Sequence, residues 1–291
     1  MIYQKLGKTE VNIPVLGQGT WKYGENKHEA KEEIKALRFG MENGMTLIDT
    51  AEEYAQGGAE RIVGEAIQDC RKEVFLTTKV SAKHCSFQGV IDAVEASLER
   101  LQTTYIDLYL QHWPSAEHEV AETMRVMAYL VEKGLVKYIG VSNFTPELID
   151  EAQAELGNRL LACNQVGYHL NDRRIENNVL PYCQAKGITV MAYSPFGYAP
   201  KFFGNQGFPQ PGSKERMALD DLAAKYGKTA YQVALNWILR KNGLVAIPKA
   251  RDITHIKSNL EALGWELSDE DVEQIEWLFP KPKEGLPLQR F

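Results

Sequence analysis

The feature that most constrains this fold is a regular alternation of short apolar runs and amphipathic segments along the whole chain. Eight runs rich in β-branched and aromatic residues read VLGQGTW, TLIDT, VFLTTKV, YIDLYLQHW, VKYIGVSN, LACNQVGY, ITVMAYSP and LVAIPK. Segments with helical periodicity separate most of them, including HEAKEEIKALRFGMENG, AERIVGEAIQDC, VIDAVEASLERL, VAETMRVMAYLVEKG, PELIDEAQAEL and DDLAAKYGKTAYQVALNWILR. Turn dipeptides such as Asn43-Gly44 and Lys133-Gly134 interrupt the pattern. The alternation predicts parallel strands that are joined by helices.

Two architectures share this pattern, and the first strand distinguishes them. Eight strand–helix units over roughly 250 residues are typical of a (β/α)8 TIM barrel. The rival, a doubly wound open sheet, usually carries GxGxxG after its first strand. Here Gly17-Gln18-Gly19 is followed by Thr20-Trp21, without a third glycine at the required offset. We therefore predict one α/β TIM-barrel domain over residues 1–291, and we interpret the two glycines as strand-end geometry.

The two ends of the predicted barrel domain carry irregular segments. Residues 1–11 predict an N-terminal β-hairpin with Gly7-Lys8 as its turn. The longest irregular segment, residues 195–213, follows the seventh strand and is rich in Gly, Pro and Phe. A loop of that length in a compact domain is usually functional or mobile. The C-terminal tail PKPKEGLPLQRF is short and predicts only a modest lid.

Composition excludes several classes of partner. The net charge of −6 gives no basic surface for nucleic acid. The sequence contains no apolar stretch of about 20 residues, and its N-terminus lacks the apolar core of a signal peptide. Four widely spaced cysteines form no CxxC pair, which is typical of free thiols in a reducing cytoplasm. We expect a cytoplasmic protein that binds a small molecule, not a membrane or nucleic acid, and that has no metal site.

Polar residues stand at the ends of the predicted strands, where a barrel of this kind gathers its chemistry. In chain order they are Asp49, Lys79, His112 with Trp113, Ser142 with Asn143, Asn164 with Gln165, Tyr193 with Ser194, and Lys249. Each one alone has a structural interpretation, such as an ion pair between Asp49 and Lys79 or a buried, satisfied His112. Burying the whole set without a function would cost several kcal/mol, so we predict an active site.

Tyr54 follows Asp49 by five residues and suggests what this site does. A phenol ionises near pH 10, and a neighbouring ammonium lowers that pKa by stabilising the phenolate. We therefore expect Asp49 to hold Lys79 and Lys79 to lower the pKa of Tyr54. A neutral His112 can donate a hydrogen bond to the same substrate oxygen. The group fits protonation of a carbonyl oxygen while hydride arrives at the carbonyl carbon.

These residues lie in stretches that resemble the aldo-keto reductase family over essentially the whole chain. The matching stretches, in the family's order and spacing, are LIDTAEEYAQGGAERIVGEAI, TTKV, YIDLYLQHWP, YIGVSNF, NQVGYHL, MAYSP and IPKARDITHIKSNL. The resemblance implies a monomeric or weakly associated barrel that reduces aldehydes or ketones reversibly. It implies a nicotinamide cofactor bound without a Rossmann domain. It also implies Tyr54 as general acid/base, with Asp49, Lys79 and His112 completing a tetrad.

The resemblance also implies where cofactor and substrate bind. Ser142, Asn143 and Gln165 would bind the nicotinamide carboxamide, and Tyr193 would stack on its ring. The other implied cofactor residues are Thr20 and Trp21, then Ser194 and Pro195 near the pyrophosphate, and finally Lys249, Ala250, Arg251, His255, Ser258 and Asn259 at the adenosine end. The implied substrate residues are Trp21, Tyr23, Tyr54, His112 and Trp113, although packing at the barrel rim is an alternative for Trp21 and Tyr23.

The chain departs from the family pattern at three positions. Ala250 stands where many members have Ser, and His255 stands where the family usually places an arginine for the 2′-phosphate. We therefore expect both cofactors to bind, with NADP(H) favoured by a reduced margin, and Arg251 and the Thr254 region to face the phosphate. Ser81 stands where many relatives carry Trp, which predicts a more open or more polar pocket wall.

Two other functions remain open from the sequence. A lysine at a barrel strand end can form a Schiff base, which would give an aldolase that uses Lys79. Asp49 argues against this, because a salt-bridged lysine stays protonated and poorly nucleophilic. Related barrels also serve as cofactor-sensing subunits, which would make the chain a binding module.

Overall fold

The centre of the fold is a barrel of eight parallel strands; the computed structural model describes residues 1–197, 207–283, 286 and 288. The strands follow one another around the sheet in chain order. They are β3 (Gln18–Gly19), β4 (Leu47–Asp49), β5 (Phe75–Val80), β6 (Ile106–Gln111), β7 (Val136–Ser142), β8 (Leu161–Gly167), β9 (Thr189–Tyr193) and β10 (Leu244–Ala246). Parallel bridges from Leu16 to Ala246 and from Gly19 to Lys249 join the first strand to the last. The predicted (β/α)8 barrel is confirmed.

Gly17 and Gly19 lie where the barrel closes. Their backbone N–H groups donate to the carbonyls of Ala246 and Pro248, at 2.8 and 3.1 Å. A Cβ atom at Gly19 would lie 2.7 Å from the carbonyl oxygen of Ile247, and one at Gly17 would meet Leu47 equally closely. Only glycine allows this approach, so the two glycines serve strand geometry, as interpreted from the sequence.

The N-terminal hairpin plugs the barrel at the end where the strands begin. Strands β1 (Tyr3–Lys5) and β2 (Asn12–Pro14) pair antiparallel around a turn that contains Gly7. Leu6 and Ile13 are fully buried and pack inside the barrel with the first residues of the strands. The predicted hairpin is confirmed. Its second strand ends at Pro14, three residues past the predicted limit at residue 11, and this strand contributes Ile13 to the plug.

Helices cover the outside of the barrel. They are α1 (Ala30–Glu42), α2 (Gly58–Ile67), α3 (Phe87–Leu101), α4 (Val120–Glu132), α5 (Pro146–Leu156), α6 (Val179–Lys186), α7 (Lys214–Lys225), α8 (Ala230–Leu239), α9 (Ile253–Leu260) and α10 (Asp269–Leu278). Short 3₁₀ segments occur at Tyr54–Gly57, Arg71–Glu73, Ala82–His84 and Arg174–Asn177. No helix in the described part of the chain has the length and apolarity needed to cross a membrane.

The segment DDLAAKYGKTAYQVALNWILR has one continuous helical periodicity in the sequence but forms two helices. It is divided between α7 and α8, with Gly227 in the left-handed region at φ 62°. Thr229 then begins α8 with a capping box, in which its side chain and that of Gln232 each accept from the other's backbone N–H. The apolar periodicity continues across this turn because both helices bury apolar side chains, among them Leu219 and Leu222 on α7 and Val233 and Leu235 on α8.

Candidate active site

Asp49 and Lys79 form a buried ion pair at the carboxyl ends of neighbouring strands. Asp49 ends β4, and Lys79 lies near the end of β5, which pairs with β4. Lys79 Nζ lies 2.7 Å from Asp49 Oδ2, and their side chains are 0% and 2% exposed. Lys79 also donates to the carbonyl of Thr50 at 2.7 Å and to the hydroxyl of Tyr54 at 3.3 Å. The Lys79 ammonium therefore contacts both the carboxylate at the end of β4 and the phenol of Tyr54.

Tyr54 and His112 complete the predicted tetrad in space. Tyr54 begins the 3₁₀ turn that directly follows β4. Its ring meets that of His112 edge-on, with the centroids 5.8 Å apart. His112 follows β6, and its backbone N–H donates to the carbonyl of Val80 at 2.9 Å. The structure thus brings together all four residues that the sequence placed at strand ends or just beyond them.

The protonation of Tyr54 differs from the sequence-based expectation. Burial raises the pKa of its hydroxyl well above the ordinary value, and the charges of Asp49 and Glu53 act in the same direction. The expected net lowering of this pKa is wrong, because burial together with the charges of Asp49 and Glu53 outweighs the contact of the Lys79 ammonium with the hydroxyl at 3.3 Å. A phenol that keeps its proton at neutral pH is suited to donate that proton as a general acid.

Glu53 is a site residue that the sequence reasoning missed. Its Oε2 lies 3.0 Å from His112 Nδ1, a distance typical of an ion pair but without the alignment of a hydrogen bond. Its Oε1 accepts from Ser81 Oγ at 2.9 Å. The contact with His112 lowers the pKa of Glu53 to about 2, and burial lowers the pKa of His112. Two features of the sequence could have identified Glu53: it is an acid directly before Tyr54, and Ser81 stands where many relatives carry Trp.

The residues expected to hold the nicotinamide form one network beside Asp49. Gln165 Nε2 donates to Asp49 Oδ1 at 2.7 Å, and Ser142 Oγ donates to the carbonyl of Gln165 at 2.9 Å. Asn143 donates to the carbonyl of His112 at 3.2 Å and accepts from the Tyr193 hydroxyl at 3.0 Å. Asn143 and Tyr193 also line a small cavity. Amide and hydroxyl groups beside the tetrad, with the aromatic ring of Tyr193, are the kinds of group that bind a carboxamide and stack on its ring.

Thr20, Trp21 and Tyr23 follow β3, and they differ in exposure. Thr20 is fully buried and its hydroxyl donates to the Asp49 carbonyl at 2.9 Å. The side chain of Trp21 is 40% exposed. Tyr23 is buried in the core, and its hydroxyl donates to the Ala250 carbonyl at 2.6 Å. Tyr23 therefore has the rim packing that the sequence left open as an alternative.

The remaining predicted residues of this end lie beside His112 and after β9. Trp113 is half-buried, with its ring 6.1 Å from that of His112 and nearly parallel to it. Ser194 and Pro195 follow β9, with Ser194 at φ 52°. Within the predicted loop 195–213, residues 198–206 lie outside the described residues, as do most of the last residues of the tail, where a lid was predicted.

The predicted adenosine end is a charged surface after β10. Arg251 forms an ion pair with Glu29 and lies 3.9 Å from buried Glu33. Burial and the charge of Arg251 lower the pKa of half-buried Lys249.

The helix that follows Arg251 carries the other predicted adenosine-end residues. His255 is exposed on α9, Asn259 is buried, and Ser258 accepts from Gln232. The Thr254 N–H was expected to face an anion. It donates instead to Asp252 at 2.6 Å, so a carboxylate caps this helix.

Comparisons with known proteins agree with this geometry. The Aldo/keto reductase family profile matches residues 15–278. The methylglyoxal reductase YeaE of Escherichia coli (strain K12) is 41% identical over 274 residues, which are 94% of each chain. The glyoxal reductase of Bacillus subtilis (strain 168) is 34% identical and covers 92% of this chain and 90% of its own length. The crystal structure of an aldo-keto reductase from Klebsiella pneumoniae in complex with NADPH is 37% identical, covers 100% of both chains and superposes with a TM-score of 0.88.

The family match spans nearly the whole barrel, and the reductases among its relatives are oxidoreductases. The buried lysine, carboxylate, phenol and imidazole stand together at the end of the barrel where this chemistry belongs. The chain therefore belongs to the aldo/keto reductase family, the enzymes that reduce aldehydes and ketones with a nicotinamide cofactor.

Proposed function

We propose that this protein is an NADPH-dependent reductase of small aldehydes and ketones, with 2-oxoaldehydes such as methylglyoxal as its substrates. The observation that carries the proposal is the position of Lys79, which contacts both Asp49 and the Tyr54 hydroxyl inside the barrel. The names of the relatives support the substrate class, since one is a methylglyoxal reductase and another a glyoxal reductase. The NADPH-bound neighbour supports the cofactor.

The proposed mechanism assigns one proton transfer to the chain's own residues. The Tyr54 hydroxyl donates its proton to the carbonyl oxygen, and burial keeps that hydroxyl protonated beforehand. The imidazole of His112 lies edge-on to the Tyr54 ring and borders the place of the same oxygen, and burial lowers its pKa. Lys79 stabilises the phenolate left after transfer, while Asp49 holds the ammonium in place. The bound nicotinamide supplies the hydride that reaches the carbonyl carbon.

The hydrogen-bonded network beside Asp49 supports the placement of the cofactor as well. We propose that Ser142, Asn143 and Gln165 bind the carboxamide and that Tyr193 stacks on the ring. Lys249 and Arg251 supply positive charge for the 2′-phosphate, which favours NADPH over NADH. Trp21 and Trp113 supply apolar walls for the substrate.

The contacts of Lys79 argue against the aldolase alternative. Burial lowers the pKa of its ammonium, but that ammonium donates to a carboxylate and a carbonyl at 2.7 Å each, and both acceptors favour the protonated, non-nucleophilic form. We also propose that the protein is cytoplasmic, which its four free cysteines support, and that it is a monomer or a weak dimer.

Steady-state turnover of methylglyoxal, glyoxal and simple ketones with NADPH and with NADH tests the proposal. We expect turnover with NADPH, and Tyr54→Phe should lower kcat about 10²–10⁴-fold while NADPH binding is kept. Near-wild-type turnover by Tyr54→Phe would show that another group donates the proton. Tight NADPH binding without turnover of any carbonyl would instead favour a cofactor-sensing subunit.

A further inference from the structure

Glu53 occupies an unusual place for a carboxylate, directly beside the proposed proton donor. It precedes Tyr54 in the chain, and its side chain is 42% exposed. Ser81 Oγ donates to one of its oxygens at 2.9 Å, and the other lies 3.0 Å from His112 Nδ1. Contacts with the residues that directly follow β5 and β6 therefore hold the carboxylate at the rim of the carbonyl site.

The carboxylate lies close to the place where a substrate carbonyl would bind. In the proposed mechanism the carbonyl oxygen contacts the Tyr54 hydroxyl and the imidazole of His112. Glu53 contacts the same imidazole at Nδ1. The imidazole ring and one further contact then separate its carboxylate from the substrate oxygen, a path of about 8 Å. Substituents on the carbonyl carbon extend into this neighbourhood.

No nearby positive charge in the described structure offsets this carboxylate fully. Lys79 is paired with Asp49, and burial lowers the pKa of His112 and so favours its neutral form. Lys83 lies on the exposed 3₁₀ turn Ala82–His84, where solvent screens its charge. Glu53 has a pKa of about 2 and stays ionised at every usual assay pH. The rim beside the tetrad is therefore negative.

We propose that Glu53 is a specificity residue that makes this site select uncharged carbonyl substrates and reject those with a carboxylate or phosphate near the carbonyl. The inference rests on the proposed function and deepens it, because 2-oxoaldehydes are small and uncharged. Like charges at this range repel strongly enough to change kcat/KM about 10-fold. Ser81 contributes by holding the carboxylate, and a larger apolar residue there would offer no such hydrogen bond.

Isosteric substrates measure this selectivity without changing shape. A nitro group and a carboxylate are both planar and of similar size, so 3- and 4-nitrobenzaldehyde match 3- and 4-carboxybenzaldehyde in shape. The nitro compounds are intrinsically more reactive, and comparing the ratio between two variants of the enzyme cancels that difference. The ratio of kcat/KM for each nitro and carboxy pair is measured with NADPH for the wild type and for Glu53→Gln. We expect the wild-type ratio to favour the nitro compounds and to fall about 10-fold in Glu53→Gln. The effect should be larger for the substituent that lies nearer to Glu53.

Two matched variants separate the local charge from other effects. Glu53→Asp keeps the charge and should keep most of the ratio. Glu52→Gln removes the same charge from the neighbouring residue, which contacts the Ser81 backbone and His84 instead of His112. It should keep the wild-type ratio. Added salt should lower the ratio of the wild type and leave that of Glu53→Gln unchanged.

The possible outcomes are distinct. An unchanged ratio in Glu53→Gln, or an equal fall in Glu52→Gln, overturns the role of Glu53. If Glu53→Gln loses turnover of both compounds, Ser81→Ala provides the same test, since it releases the carboxylate from its hydrogen bond. A several-fold fall in its ratio supports the inference, and an unchanged ratio overturns it. A wild type that reduces no carbonyl compound would contradict the proposed function itself.

Discussion

At the residue scale, the tetrad could be predicted because its members stand at or just after strand ends and because parallel strands bring those ends together. The pKa of Tyr54 could not be predicted in the same way. Its direction depends on how deeply the phenol is buried and on the charges of Asp49 and Glu53, of which Glu53 directly precedes the 3₁₀ turn after β4. Spacing along the chain identifies neighbours, whereas burial depth is a property of the folded molecule.

Lys79→Met tests the ion pair that anchors the site. The variant leaves the buried carboxylate of Asp49 without its counter-charge, which typically costs about 3–5 kcal/mol of unfolding free energy. Loss of the ammonium also raises the pKa of Tyr54 further, so kcat should fall and the basic limb of the pH–rate profile should move upward. Urea unfolding and a pH series of kcat measure the two effects.

A double variant separates stability from chemistry at this pair. Lys79→Met with Asp49→Asn removes both charges, and Gln165 still has an amide oxygen or nitrogen to contact at residue 49. We expect unfolding free energy to recover in large part while kcat stays low. Full activity in the single variant, with an unchanged pH profile, would show that Lys79 has only a structural role.

At the scale of elements, the eight strand runs were predictable because both faces of the barrel wall are buried. β5 and β6 are buried along their whole length and are rich in large apolar and β-branched residues, which made them recognisable although polar residues such as Lys79 and Asp107 interrupt the apolar run. The boundary between α7 and α8 was not evident, since the apolar periodicity continues across Gly227. Only the left-handed turn there and the cap at Thr229 separate the two helices, and both depend on backbone conformation.

Thr229→Ala tests this helix boundary. The change removes the side chain that accepts from the Gln232 N–H, and loss of such a cap costs about 0.5–2 kcal/mol. Because Thr229 lies outside the active site, kcat/KM should stay at the wild-type value. Urea unfolding curves compare this variant with Thr229→Ser, which keeps the hydroxyl and should keep the stability. Equal stabilities for all three proteins would mean that the capping box contributes nothing.

At the scale of the whole molecule, the buried His169 makes the free energy of unfolding depend on pH. His169 follows β8, is 1% exposed, and burial lowers its pKa to about 4. The unfolded chain binds its proton near pH 6.5, before the folded protein does. The neutral group therefore stabilises the fold fully above pH 6.5, and this contribution is lost as pH falls toward 4.

His169→Gln isolates that contribution. From the two pKa values, the wild type should lose about 2 kcal/mol of unfolding free energy between pH 7 and pH 5 through this group alone. The variant lacks the titrating ring, so its stability should fall less over the same interval. Urea titrations at pH 5, 6 and 7 give both curves, and parallel curves would show that His169 does not titrate as described.

Closure of the barrel also shapes the proposed site for the 2′-phosphate of the cofactor, because it brings together residues from opposite ends of the sequence. Arg251, after the last strand, forms an ion pair with Glu29, which directly precedes α1. Glu33 adds a buried carboxylate 3.9 Å from the same guanidinium. The sequence suggested Arg251 as a phosphate ligand but gave no sign of these competing acids, since they lie more than 200 residues away.

Arg251 and Glu29 are therefore expected to affect NADPH binding in opposite directions. Arg251→Ala removes a cation and should weaken NADPH binding by about 1–3 kcal/mol, the scale of a charged hydrogen bond, with little change for NADH. Glu29→Gln removes the carboxylate that competes with the 2′-phosphate for the guanidinium, so NADPH should bind several-fold more tightly and NADH equally well. Fluorescence titrations of both variants and the wild type with both cofactors measure these changes. Since NADH lacks only the 2′-phosphate, equal changes for the two cofactors would place Arg251 away from that phosphate. Weaker NADPH binding by Glu29→Gln would mean that the Glu29 carboxylate positions the arginine instead of competing with the 2′-phosphate.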